Sequence, residues 1–152
     1  MNQQYSPVTV NSKKKNKTLK IFMILIWAIF LSINTWTKDL ESLLDFQYIG
    51  FIWDPSPNFL SFFYFNDLTL IHPAFMLVKM GHLIGFAIMD LLIFNLFRSH
   101  KASIMLSVVY AFLTEFLQLF WGRDGRLYDL IIDTLGVLSV YFLIKTFKRP
   151  KN

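Results

Sequence analysis

The sequence predicts an all-α, polytopic membrane protein: four transmembrane helices in an antiparallel bundle, with both termini cytoplasmic. Three observations predict it. Hydrophobic residues make up 55% of the chain and mean hydropathy is +0.46, while charged residues reach only 16%, against about a quarter in a soluble domain. Apolar runs recur at four places, each near the ~20 residues that a helix needs to cross a hydrocarbon core. Lys and Arg gather in the short flanks of those runs, where they set helix orientation. That placement also explains the net charge of +5 better than a phosphate-tracking groove does, so no nucleic-acid partner is expected. There are no cysteines, which excludes disulfides and thiolate chemistry.

Residues 1–18 are polar and read as a disordered cytoplasmic tail ending in a basic cluster, Lys13, Lys14, Lys15 and Lys17. The first span, 19–36, has the layout of a signal peptide behind those lysines. It is long for a signal core, however, and Ser32-Ile33-Asn34-Thr35 is a poor cleavage site, so it reads as a retained helix. The connection 37–74 comes next. Trp53-Asp54-Pro55-Ser56-Pro57 is not regular helix, because each proline removes a donor and biases its predecessor toward extended backbone. Phe59, Phe62, Phe63, Tyr64 and Phe65 then suit either a flap in the headgroup layer, where aromatic rings sit well, or a lid over a site. The remaining spans are 75–97, 102–121 and 127–147, and a short basic tail covers 148–152. The turns 98–101 and 122–126 are so short that successive helices must run antiparallel.

Orientation follows from the basic residues. With the N-terminus inside, cytoplasmic segments hold Lys13, Lys14, Lys15, Lys17, Lys20, Arg98, Lys101, Lys145, Lys148, Arg149 and Lys151. The outside holds Lys38, Arg123 and Arg126, with Lys79 at the membrane edge. The 37–74 connection is then extracellular.

Ionisable residues inside these spans carry the functional signal, since a charge in hydrocarbon costs from ~2.5 to more than ~10 kcal/mol and defaults to a functional reading. Lys79 and His82 share a face near the outer end of the second span. Glu115 and Gln118 repeat that spacing near the outer end of the third, and Arg126, Asp129 and Asp133 form one stripe at the start of the fourth. With Arg123 in the turn between them, these groups fall at one depth. Arg126 with Asp129 reads as a local ion pair, and Glu115, if ionised, requires Lys79, Arg123 or His82. Asp90 lies deeper on nearly the same face as His82, positioned to extend the polar track or to pair with Asn34 or Asn95. His72 and His100 read as solvated. His82, Glu115, Asp129 and Asp133 offer metal-ligating atoms, but no paired-His spacing accompanies them. Two arginines and a lysine in the same layer favour an anionic guest, so neither metal nor cofactor is expected.

Lys79-x-x-His82, Glu115-x-x-Gln118, Gly122-Arg123, Asp129 and Gly136, in that order over three spans, resemble the VanZ-like family. These are small bacterial membrane proteins named for a teicoplanin-resistance protein. The resemblance covers about 78–140, and neither the loop nor the first span carries a recognisable family signature. It implies a cell-envelope role, including glycopeptide (teicoplanin-type) resistance, without an agreed reaction. In the family that this resembles, Asn usually stands four residues after the Asp matched by Asp129, where this chain has Asp133. The exchange adds a possible charge and removes an amide donor.

Three functions follow as expectations. In the first, an outward-facing pocket of Lys79, His82, Glu115, Gln118, Arg123, Asp129 and Asp133 binds an anionic lipid or lipid-linked wall component. Lys79 and Arg123 hold its phosphate or carboxylate, as arginine's planar fork suits. In the second, His82 and Glu115 act as the acid–base pair of an intramembrane enzyme on a lipid-linked substrate. In the third, the cluster locks helices together in a structural or partner-binding module.

Overall fold

In a computed structural model the chain is all-helical over the residues it describes, 7–37, 50–65, 73–123 and 125–147, with side chains described from 15 onward and, in the second long helix, from 75. Four long helices follow in order: α1 (Pro7–Trp36), α2 (Pro73–Phe97), α3 (His100–Gln118) and α4 (Leu127–Phe147). Short 3-10 turns span Phe59–Phe63 and Leu119–Trp121. All four helices are long and apolar enough to cross a membrane, over Lys15–Trp36, Phe75–Phe97, His100–Trp121 and Leu127–Phe147. The expected spans agree closely with these.

The main departure is at the start. Residues 7–18, expected to be disordered, continue α1 as helix. Once a helix exists, each further residue adds a hydrogen bond without a new nucleus, and lysine is a good helix former. The loop differs less. Residues 53–58 are irregular, as the prolines require, and Asn58 caps the following 3-10 turn by accepting from the Leu60 amide at 3.1 Å.

α2 and α4 make the most extensive helix pair. Gly136 is the reason they approach so closely: a methyl group there would collide with the Leu83 carbonyl oxygen, and small residues are what allow membrane helices to pack backbone to backbone. Between α3 and α4 the chain reverses through Gly122, whose φ of +63° lies in the left-handed region that glycine enters without a Cβ penalty.

α1 sits at the periphery and is held by long-range hydrogen bonds. Trp27 Nε1 donates to the Gly85 carbonyl at 2.9 Å, the Tyr110 hydroxyl to the Ala28 carbonyl at 2.6 Å, and Trp36 Nε1 to the Thr114 carbonyl at 3.2 Å. Its opposite face exposes Leu19, Phe22, Leu25, Ile26 and Ile29. In a membrane, lipid tails solvate that face.

An apolar core of Leu31, Phe86, Met89, Ile93, Ala111 and Val137 occupies the bundle centre. Its Phe86, Ala111 and Val137 each lie one helical turn from the polar layer that begins at His82, Glu115 and Asp133. One further turn along α2 and α3, Asp90 and Ser107 are again fully buried.

Candidate functional site: a buried polar cluster beside an apolar cleft

The polar layer assembles from one face of each of three helices. α3 buries Ser103, Ser107, Ala111, Thr114, Glu115 and Gln118, a stripe in which only Ala111 is apolar. α4 buries Asp129, Asp133, Gly136, Val137 and Val140 on a single face. α2 faces both with Lys79 and His82. The spacing of three, four and seven residues puts these groups on their faces, and antiparallel packing brings the faces to one level.

Lys79 donates to both oxygens of Asp129, at 2.6 and 2.8 Å, and its ammonium lies over the rings of Phe75 and Tyr128, 4.8 and 4.7 Å from their centroids. His82 Nδ1 is 3.1 Å from Asp133 Oδ1 and 3.5 Å from Glu115 Oε1. Gln118 Nε2 donates to Glu115 Oε1 at 3.2 Å, and the Arg126 backbone amide donates to Glu115 Oε2 at the same distance. Gly125 allows that last contact, since a side chain there would strike the Glu115 carbonyl. Lys79, His82, Glu115, Gln118, Asp129 and Asp133 are thus brought together as the sequence suggests, and of the three partners expected for an ionised Glu115 it is His82 that lies beside it.

Several partners differ from expectation. Asp129 pairs with Lys79, not Arg126. The Arg126 side chain instead donates to the Ser61 carbonyl at 2.6 Å, tying the aromatic loop to the top of α4. Arg123 Nη1 donates to the carbonyls of Asn34, Thr35 and Thr37 at 3.0–3.1 Å. These are end carbonyls that a helix cannot satisfy internally, so Arg123 caps α1. Asp90 pairs with neither Asn34, whose amide donates to the Phe30 carbonyl, nor Asn95. It is fully buried near the hydroxyls of Ser103 and Ser107, and among the described residues neither of its oxygens has a well-formed hydrogen bond. His100 is not a solvated turn residue: its ring stacks on Phe94 at 4.3 Å and meets the edge of Tyr141 at 5.1 Å. His72 lies outside the described residues.

Beside the cluster, α1 and α2 leave a cleft of about 340 Å³. Trp27, Phe30, Leu31, Leu77, Ile84 and Phe86 give it apolar walls, while Asn34, His82 and Arg123 supply its polar groups. Gly81 and Gly85 lie along its α2 wall. The cleft was not anticipated, although Gly81-x-x-x-Gly85 is the small-residue spacing that marks close helix approach. The described loop does not line it. Phe59 packs on Phe116 and Phe120, Phe62 on Phe112, and Trp53 on Phe120 and Trp121, so residues 50–65 cover α3.

A helical membrane bundle that buries a histidine–carboxylate cluster next to an apolar cleft is the class of protein defined by this geometry. The chain belongs to the VanZ-like family: the VanZ/LLP1 family profile matches residues 18–148. The match is wider than the 78–140 expected and takes in α1. The uncharacterized membrane protein YwnJ of Bacillus subtilis (strain 168) is 29% identical over 126 residues, covering 83% of this chain and 90% of that protein. No solved structure matches the chain.

Proposed function

We propose that this membrane protein acts in the bacterial cell envelope by binding an anionic amphiphile, a lipid or lipid-linked wall component, in the cleft between α1 and α2. Binding there modulates susceptibility to glycopeptides of the teicoplanin type. The polar end of the bundle faces outward and both termini are cytoplasmic, the orientation that the lysine and arginine distribution favours. The observation that carries this reading is the cleft itself: apolar walls suited to an acyl chain, with Arg123 and His82 beside them. Ligand sites are typically apolar concavities with a few convergent polar groups. Arg123 serves the headgroup better than Lys79, whose charge is already matched by both oxygens of Asp129. Teicoplanin-type drugs carry an acyl chain, which makes such a site relevant to that class.

The test fills the cleft without disturbing the fold. A Cβ added at Gly81 meets nothing within 4 Å, and replacing a helical glycine improves helix propensity by up to ~1 kcal/mol. Gly81→Leu is therefore expected to keep its membrane abundance while losing binding to phosphatidylglycerol vesicles and any effect on teicoplanin susceptibility. Unaltered binding and susceptibility in that variant would refute the proposal.

The alternative, an intramembrane enzyme using His82 and Glu115 for proton transfer, draws on their 3.5 Å separation. Proton transfer by a positioned group contributes ~10²–10⁴-fold in rate. A His82→Gln effect of tenfold or less on envelope composition would speak against it.

A further inference from the structure

The sequence argument against a metal rested on Lys79, Arg123 and Arg126 sharing a layer with the carboxylates. Their side chains are engaged elsewhere: by Asp129, by the end of α1 and by the Ser61 carbonyl. The ion pairs among the described residues are Lys79 with Asp129, and His82 with Glu115 and Asp133. Two fully buried carboxylates thus share a single imidazole. With both carboxylates ionised, even a protonated histidine would leave that group of three one negative charge in excess, so a bound cation is what would let both carry their charge where buried charge is costly.

We propose that His82, Glu115 and Asp133 form a binding site for a divalent transition-metal cation of the zinc type, held between α2, α3 and α4. The ligand atoms of these residues all lie within 4.8 Å of one another. Two donors at ~2.0–2.1 Å from a tetrahedral zinc ion are ~3.3–3.4 Å apart. The His82–Asp133 and His82–Glu115 separations of 3.1 and 3.5 Å bracket that spacing. The carboxylates need only draw toward each other, and a shared cation supplies the attraction. Asp133 gives an independent pointer: its Oδ2 is buried with no hydrogen-bond partner among the described residues, an orphaned acceptor where a cation would satisfy it. One imidazole and two carboxylates, without thiolate, suit a borderline divalent cation. With two anionic ligands and a neutral imidazole, the filled site carries no net charge.

Metal-bound side chains are normally oriented by further hydrogen bonds. Glu115 has this support from Gln118 and from the Arg126 amide. Three protein ligands leave a fourth position for water or for a ligand oxygen, and His82 also lines the cleft. The site does not depend on what the cleft binds. It does depend on Asp133, which supplies one of its two carboxylates.

The test uses the full chain in detergent, with any affinity tag removed and metal stripped by EDTA, and zinc itself as the probe. Expected are equimolar zinc retained through gel filtration and a zinc-dependent rise in unfolding temperature. Asp133→Asn, nearly the same size and shape as aspartate, should fold normally by circular dichroism and lose at least ~100-fold in zinc affinity. That loss stands at or above the range seen when only the supporting partners of a metal ligand are removed. Glu115→Gln should lose affinity likewise, and His100→Ala, remote from the cluster, should not. No zinc uptake by the wild type, or equal affinity in the wild type and Asp133→Asn, overturns the site and leaves the three residues as a histidine-centred ion cluster.

Discussion

The ion pair between Lys79 and Asp129 offers a quantitative check on the buried cluster. Its side chains are only 15% and 6% exposed, and the ammonium reaches both carboxylate oxygens. An exposed pair contributes about 0–1 kcal/mol, whereas removing one partner of a buried pair costs ~3–5 kcal/mol because the other charge is stranded. The two single substitutions should not cost the same. After Asp129→Leu, the Lys79 ammonium still lies over Phe75 and Tyr128, contacts worth ~0.5–2 kcal/mol each. After Lys79→Met, Asp129 is left as an anion in a layer that already holds two carboxylates. Lys79→Met should therefore be the more damaging, near ~5 kcal/mol, and Asp129→Leu nearer ~3 kcal/mol. The double variant should recover most of the loss, since well-packed apolar replacements of a buried pair are often neutral. Reversible unfolding in mixed detergent micelles, run as a double-mutant cycle, measures all three. Single-variant losses below ~1 kcal/mol, or strictly additive effects, would show that the pair is solvated and that the polar layer is not closed.

Other perturbations follow from the same geometry. Gly136→Val drives a side chain into the Leu83 carbonyl and should prevent α2 and α4 from packing, at a cost of ~1–3 kcal/mol or more, read as lost membrane abundance. Asp90→Leu removes a carboxylate that lies near the Ser103 and Ser107 hydroxyls but has no well-formed hydrogen bond among the described residues. Because an unsatisfied buried polar group costs ~1–3 kcal/mol, its unfolding midpoint should be unchanged or higher, and a marked drop would reveal a polar role for Asp90. Arg123→Ala frees the carbonyls at the end of α1 and should speed amide exchange in its last turn while leaving α3 and α4 protected.

Hydropathy alone determined that the chain forms four helices long and apolar enough to cross a membrane, because in lipid each apolar run must satisfy its backbone internally and only a helix does so within one segment. The short turns after α2 and α3 made those helices antiparallel. Three- and four-residue spacings then placed Lys79, His82, Glu115, Gln118, Asp129 and Asp133 at one level, where the structure brings them together.

Partner choice was decided by the tertiary structure. Spacing along a helix says which residues share a face, but not how far that helix is rotated toward its neighbours. Asp129 therefore turned to Lys79 and left Arg126 to a loop carbonyl 65 residues away in sequence. Arg123 became the cap of α1, although nothing in the turn that carries it encodes contact with a helix 86–89 residues earlier. The α1–α2 cleft and the meeting of His82 with two carboxylates have the same origin: they are relations between helices that the connecting chain leaves free, fixed only when close packing chooses one rotation of each.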